Sequence, residues 1–323
     1  MTNIFDDSTL LLLILLPALS AVVLWVIPSE KKNWIRWFAI LISVVVLVLS
    51  VGVFTGFDSE AGGIQYQSSY SWLDMPGTWG TGQGAFTLTL GVDGIAALMV
   101  LLTGIVMFTG TIVSWSIETD NKDFFVLYFL LLSGVFGVFV SFDLFFFFFF
   151  YELSVLPMYL LIGNWGSSSV FPRFSRSKEY SAMKLTLVLV GGSVLIWVAI
   201  LGIYTQSGLG TFNIEEIQKV IENSFSREFQ IVFFLFLMVG FGILAGLWPF
   251  HTWSPDGHVA APTAVSMVHA GVLMKLGAFG LIRVGMTLLP EGATFWMPLL
   301  LSLIHISEPT RRTPISYAVF CLK

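Results

Sequence analysis

Cysteine and charged residues are both scarce in this chain, and each shortage excludes a class of protein. The 323 residues include one cysteine, Cys321, so the chain alone can form no disulfide framework and offers no cysteine set for zinc or an iron–sulfur cluster. Charged residues make up 11% of the sequence, against roughly 25% in soluble domains. The net charge is −5 and there is no basic stripe, so we expect no nucleic-acid partner.

Apolar sequence, by contrast, is abundant. Hydrophobic residues make up 56% of the chain, and the mean hydropathy is +0.87. Stretches of about 20 apolar residues recur, each long enough to cross a bilayer. Backbone groups in lipid must be satisfied within their own segment, which predicts an all-α, polytopic transmembrane bundle. The predicted spans are 10–27, 34–54, 95–115, 124–140, 144–162, 182–203, 230–248 and 260–284, with a ninth beginning near Trp296.

Positive charge divides the connections into two groups. Basic residues follow the first, third and fifth spans, whereas Lys219 and Arg227 on the opposite side are diluted by glutamates. The positive-inside rule therefore predicts a multi-pass protein of the cell (inner) membrane with an extracytoplasmic N-terminus. On the outer side, the alternating residues that end segment 56–89 predict a short hairpin. Apolar residues at helical spacing in 212–229 predict an amphipathic surface helix.

Two formal charges lie in the middle of predicted spans. Glu152 is central in the fifth span and Lys275 in the eighth. A charge at that depth costs ~2.5–3.5 kcal/mol even on the lenient insertion scales, so we expect both side chains to face the protein interior near the midplane and to carry protons. The alternative is a buried ion pair that only joins two helices.

The seventh span is rich in helix-breaking residues. Glycines and prolines recur between Gly242 and Pro262, a pattern typical of discontinuous membrane helices. Imidazoles in or just beyond this region are candidate proton relays, although each could equally be structural; they are His251, His258 and His269. Lys184, at the cytoplasmic end of the sixth span, is a further relay candidate if it turns inward rather than towards the headgroups. No set of ligands converges here, so no metal site is expected.

The last residues do not fit a membrane span. The ninth span is interrupted by HISEPTRRTPISY, which a bilayer core would not accept. The sequence from about Leu303 also looks like the translated read-through of a sequencing adapter. We therefore expect residues 1–302 to form one antiporter-like transmembrane domain, truncated at its C-terminal side, and residues 303–323 to be an artefact.

Four stretches carry a family resemblance: LGVDGIAALMVLLT, FFFYELSVLPMYLLIG, PFHTWSPDGHVAAPTAVS and HAGVLMKLGAFGLIR. They resemble the proton-translocating membrane family shared by respiratory complex I and multisubunit cation/proton antiporters, above all subunit M (chain 4) of NADH–quinone oxidoreductase. The resemblance implies inverted five-helix repeats and proton translocation through Glu152 and Lys275. It implies homologous membrane subunits as partners, membrane lipid around the spans, and no cofactor on this chain, since NADH and quinone are bound by partner subunits.

One departure from the family bears on the mechanism. The family commonly has a lysine in the seventh helix, seven residues before the position of His251, where this chain has Leu244. The sequence leaves open a subunit of a multisubunit Na⁺/H⁺ antiporter or of a membrane-bound hydrogenase, and a purely structural scaffold.

Overall fold

The computed structural model describes residues 8–73, 86–171 and 174–307. Within them, eight helical segments are long and apolar enough to cross a membrane, which confirms the predicted all-α membrane fold. Six are single helices, two of which are capped by a carboxylate: Asp93 accepts from the N–H of Ala96, and Asp143 from those of Phe145 and Phe146. The six are α1 (Thr9–Val26), α2 (Lys32–Gly56), α3 (Gly94–Val113), α4 (Asn121–Val140), α5 (Leu144–Trp165) and α6 (Lys178–Ser207).

The seventh span is interrupted, as its helix-breaking residues predicted. Its first helix ends before Gly246, whose φ of 74° is a left-handed conformation that favours glycine, and a second break at Ala261 and Pro262 separates it from the eighth span. The eighth span contains two π-helical segments, which the sequence did not indicate. In chain order the pieces are α8 (Arg227–Ala245), α9 (Trp253–Ala260), α10 (Thr263–Val268), a first π segment (His269–Leu273), α11 (Met274–Gly280) and a second π segment (Leu281–Met286).

Close helix packing places the interior of the bundle around α4. This helix is buried along most of its length and packs on α1 and α5. A Cβ at Gly134 would lie 2.8 Å from the carbonyl oxygen of Phe150, so glycine permits the close approach of α5. On the other side of α5, α6 packs against α8 and α9, which brings the interrupted span into the same interior.

One end of the bundle carries both predicted surface features. Strands β1 (Gln65–Leu73) and β2 (Phe86–Val92) pair antiparallel, and α7 (Ile214–Ser224) lies beside them, with Asn213 Nδ2 donating to Thr89 Oγ1 at 3.2 Å. Apolar side chains of α7 are buried while its polar residues remain largely accessible. The predicted hairpin and amphipathic helix are therefore confirmed, and they touch each other.

The opposite end carries the basic connections. Lys32 Nζ donates to Glu118 O at 2.9 Å, and Lys178 Nζ donates to Asn164 O at 2.7 Å. A short hairpin of β3 (Ser169–Phe171) and β4 (Phe174–Arg176) lies in the last of these connections. The separation of charge predicted along the sequence is thus a separation between the two ends of the fold.

Helix α12 (Pro290–Ser307) begins earlier than predicted. The expected start near Trp296 is wrong because the polar first turn lowers local hydropathy although it is helical; the N–H of Glu291 donates to Gln230 Oε1 at 3.0 Å. The helix continues past Leu303, and residues 308–323 of the predicted artefactual tail lie outside the described residues. The division at residue 303 stays a prediction.

Candidate functional site

Glu152 is at the ninth position of α5, near the middle of its span. Its side chain is half-buried, and Oε1 is a buried atom with no hydrogen-bond partner among the described residues. The carboxyl lies beside Ser193 of α6, whose hydroxyl donates to Val190 O at 2.9 Å. A carboxyl so placed can exchange a proton with water or with a group that moves towards it.

Lys184 turns inward, one of the two orientations that the sequence left open, and its partner is a carboxylate that sequence reasoning missed. Lys184 Nζ lies 2.8 Å from Asp256 Oδ2 and donates to Thr252 O at 3.0 Å. The Asp256 side chain is 4% exposed and that of Lys184 is 24% exposed. The helix break is what makes this pair possible, because α9 is set apart from α8 and meets the N-terminal turns of α6.

A stack of three rings lies next to this ion pair. His269, which is fully buried, is stacked between Trp253 and His258, with ring centroids 5.3 Å and 4.0 Å away. His258 Nδ1 lies 3.2 Å from Ser266 Oγ. A Cβ at Gly257 would lie 3.3 Å from Cε1 of His269, so the glycine lets α9 approach the imidazole. Both ring nitrogens of His269 lack a partner within the described part of the chain, so they are available to water or a proton.

Two other predicted site residues lie elsewhere. His251 is exposed in the 3₁₀ turn between α8 and α9 and does not join the ring stack. Lys275 is also exposed, and its Nζ donates to Ala270 O at 2.6 Å. The expectation that Lys275 faces the interior is therefore wrong for this structure. Within this span the structure buries His269 and leaves Lys275 on the exposed side.

No lysine of α8 takes the place of the one that the family commonly has in its seventh helix. Leu244, at the position where the family commonly has lysine, is fully buried in α8. Nearby, Trp253 Nε1 donates to Ile243 O at 3.0 Å, which ties α9 back to α8. The cation at this break comes instead from Lys184 of α6.

A second ion pair and a buried cap lie towards the hairpin end, and the sequence analysis identified neither. Arg283 Nη2 lies 2.8 Å from Asp93 Oδ1. Asp143 is fully buried between α4 and α5, and burial raises its pKa to about 7 although the N–H groups of Phe146 and Phe145 oppose the rise. The sequence signal that could have identified Asp93 and Asp143 is that each directly precedes an apolar helix, at its N-cap position.

The interior groups can together accept, hold and pass protons. They comprise a central carboxyl, a lysine–aspartate pair at a helix break, and a stacked histidine pair, all in or beside membrane spans. Among the described residues no group of three or more histidine, cysteine, aspartate or glutamate side chains is arranged to hold a metal ion.

Comparison with known proteins gives the family from the sequence. The model of the NADH:quinone oxidoreductase/Mrp antiporter transmembrane family matches residues 141–308. An NAD(P)H-quinone oxidoreductase chain 4-2 from Synechocystis sp. is 32% identical over 293 residues, which are 90% of this chain and 49% of that protein. The chloroplastic chain 4 of Solanum tuberosum is 32% identical over 294 residues, 90% of this chain and 55% of that protein. This chain thus spans about half the length of the curated relatives it matches.

Solved structures share the fold at lower identity. A chain of respiratory complex I from Thermus thermophilus with bound NADH superposes with a TM-score of 0.76 at 24% identity, covering 92% of this chain and 57% of that one. A chain of the membrane-bound sulfane sulfur reductase, an archaeal respiratory membrane complex, has a TM-score of 0.75 at 22% identity, covering 91% and 56%. A chain of the Mrp complex from Dietzia sp. has a TM-score of 0.67 at 21% identity, covering 90% and 30%.

Proposed function

Because this chain belongs to the NADH:quinone oxidoreductase/Mrp antiporter transmembrane family, we propose that it is a proton-translocating membrane subunit of an NAD(P)H–quinone oxidoreductase. It couples quinone reduction in partner subunits to proton transfer through the interior of its own helices. It binds no cofactor itself; homologous membrane subunits pack beside it, and other subunits bind the nucleotide and the quinone.

The observation that supports this proposal best is the content of the helix break. A break inside an apolar span exposes backbone groups that must face a partner helix or a cavity. Here it holds the Lys184–Asp256 pair at 2.8 Å and, two residues further along α9, His258 stacked on the fully buried His269. A purely structural role does not account for a buried imidazole whose two nitrogens have no partner in the described structure.

The chemistry of each group suggests its part in the path. Lys184 can release its proton when Asp256 no longer stabilises the ammonium, since an opposite charge favours the charged form and desolvation disfavours it. His258 and His269 can pass a proton through water, because an imidazole both accepts and donates near neutral pH. Glu152 can accept a proton on a side chain that lies in the middle of the span. Lys275, on the exposed face, is positioned to exchange with a partner subunit that covers that face.

We further propose that the protein lies in the cell (inner) membrane with its N-terminus outside. The basic connections gather at one end of the bundle, where Lys32 bonds to a loop carbonyl and Lys178 to a carbonyl in the last turn of α5, and the positive-inside rule assigns that end to the cytoplasm. The hairpin and α7 then lie on the outer surface.

Proton pumping by the assembled complex tests the function. We expect Glu152→Gln to reduce NADH-driven acidification of inverted membrane vesicles strongly while the subunit still assembles, because glutamine keeps the volume but cannot exchange a proton. Glu228→Gln, a change of an exposed glutamate in the first turn of α8, serves as the matched control and should pump normally.

Two results would contradict the proposal. Normal pumping in Glu152→Gln would make Glu152 a structural residue. Cation-dependent proton exchange without NADH oxidation would favour a subunit of a cation/proton antiporter instead, the alternative with which the fold is also compatible.

A further inference from the structure

A cavity of about 810 Å³ opens at the hairpin end of the bundle. It lies between the loop before β1, the start of α3, helix α7 and the second π segment, and none of the groups assigned to the proton path lines it. Its size is within the range of ligand sites in proteins, about 300–1,000 Å³. Its walls include two cations and two carboxylates: Arg283, Lys219, Asp93 and Glu215.

Arg283 is a buried cation held in a fixed position. The residue is 6% exposed, and its guanidinium carbon lies 4.1 Å from the ring centroid of Phe142 and 4.9 Å from that of Phe279. Contacts of this kind stabilise a cation without using its N–H donors. The aromatic rings therefore fix the guanidinium at the cavity wall and leave its donors for a polar partner.

Asp93 balances the charge of Arg283, but its contacting oxygen is shared with another donor. Asp93 Oδ1 lies 2.8 Å from Nη2, yet the same oxygen accepts from the N–H of Ala96 to cap α3. Nη2 is buried and has no aligned acceptor anywhere in the described ranges. A buried donor without a well-aligned acceptor is unfavourable, and an oxygen ligand bound in the cavity would satisfy it. Phosphate oxygens suit a guanidinium, because they match its fork of donors.

The other charged side chains of the cavity determine which phosphate-containing ligand fits. Lys219 makes no ion pair with the described residues; it is exposed and lines the same cavity. Glu215, which also accepts from Gln67 Nε2, and Asp93 carry the negative charges that a ligand cation needs. With two positive and two negative side chains the cavity is neutral, so a ligand with a net charge would be left uncompensated, whereas a zwitterion would be balanced.

The rest of the wall fits a lipid rather than a soluble zwitterion. Ile95 on α3 and Ile282 on the second π segment are 47% and 43% exposed, and both belong to membrane spans. They continue the cavity onto the lipid-facing surface. We propose that this cavity binds the headgroup of a phosphatidylethanolamine, with the phosphate at Arg283 and Lys219, the amine at Asp93 and Glu215, and the acyl chains along Ile95 and Ile282.

Native mass spectrometry of the full chain in micelles tests the proposal without any turnover, so its outcome is independent of the proposed function. The probes are phosphatidylethanolamine, phosphatidylglycerol, free phosphoethanolamine and inorganic phosphate. Wild-type protein should retain phosphatidylethanolamine in preference to phosphatidylglycerol, and neither soluble probe should displace it at equal concentration, because neither has acyl chains.

Exposed rim residues make folded variants available even if Arg283→Gln does not fold. Lys219→Gln should weaken phosphatidylethanolamine binding about fivefold, as expected for a loss of about 1 kcal/mol per basic residue near a headgroup. Lys31→Gln, an exposed lysine at the opposite end of the bundle, should leave it unchanged. Glu215→Gln gives the cavity a positive charge and should shift the preference towards phosphatidylglycerol.

The proposal is overturned if Lys219→Gln and wild-type protein bind phosphatidylethanolamine equally. It is also overturned if phosphatidylglycerol binds the wild-type protein as tightly, if inorganic phosphate displaces the lipid, or if no lipid is retained, the last being the result expected when protein covers the cavity.

Discussion

Removing the two members of the Lys184–Asp256 pair separately should cause unequal losses of stability. The Asp256 side chain is 4% exposed, whereas that of Lys184 is 24% exposed. Lys184→Met leaves the buried carboxylate without its cation, and breaking a buried pair in this way costs about 3–5 kcal/mol. The carboxylate has no route to water, because its short side chain is fixed on α9.

Asp256→Asn should cost less. The amide keeps the shape of the carboxylate, and Lys184 keeps its bond to Thr252 O at 3.0 Å. Its long stem also lets the ammonium move towards the headgroups. The expected loss is that of one hydrogen bond to a charged group, about 1.5–3 kcal/mol. The double variant Lys184→Met/Asp256→Asn removes both charges together, so it should cost about 1–3 kcal/mol less than the sum of the two single variants.

The measurement is the free energy of unfolding of the wild type, the two single variants and the double variant. It is obtained by denaturant titration in mixed micelles, followed by helical circular dichroism. Lys32→Met provides the control, since Lys32 bonds to a loop carbonyl at an exposed site and its loss should stay within about 0.5 kcal/mol. Two results would refute the view that the buried Asp256 carboxylate depends on Lys184. One is an equal loss of unfolding free energy in Asp256→Asn and Lys184→Met, and the other is a loss in the double variant equal to the sum of the two.

Two further predictions concern groups outside this pair. Because folding raises the pKa of Asp143 from its usual 3.8 to about 7, the folded state binds the extra proton, so stability is greatest below pH 3.8 and is lost as the pH rises through 7. The loss is at most about 4 kcal/mol at about 1.4 kcal/mol per unit. Hydrogen exchange at the start of α5 should show this decline, and Asp143→Asn should make it flat between pH 4 and 8; a decline that persists in the variant would assign it to another group. In the assembled complex, Lys275→Ala should lower pumping sharply and His251→Ala only mildly, measured by vesicle acidification, and near-normal pumping in Lys275→Ala would mean that Lys275 is not a carrier.

The spans and the family could be predicted because each depends on local sequence. Length and apolar content decide whether a helix crosses a membrane, and all eight predicted spans are present. The helix break was predictable for the same reason, since glycine and proline act on their own backbone. The resemblance to the chain 4 family, drawn from motifs, is confirmed by the match over residues 141–308 and by the relatives.

Pairing between distant residues could not be predicted in this way. Lys184 and Asp256 are separated by 72 positions, and their contact depends on how far α9 is displaced from α8. Asp93 and Arg283 lie on α3 and the eighth span, and Arg283 resembles an ordinary basic residue at the end of a helix. The error at Lys275 has a related origin, because a charge in an apolar run shows that a helix has a polar side but not which neighbour that side meets.

The buried Leu244 connects these observations. A lysine there would be carried by α8, on the far side of the break from Asp256, and its charge would be fixed to the longer half of the span. In this chain the ammonium comes from α6 and meets a carboxylate on α9, so any movement of α9 relative to α6 changes the partner of Lys184 directly. The same short helix carries Gly257 and His258 against His269. A shift of α9 would therefore alter the ion pair and the histidine stack together, which would couple a mechanical change in the break to the uptake or release of a proton.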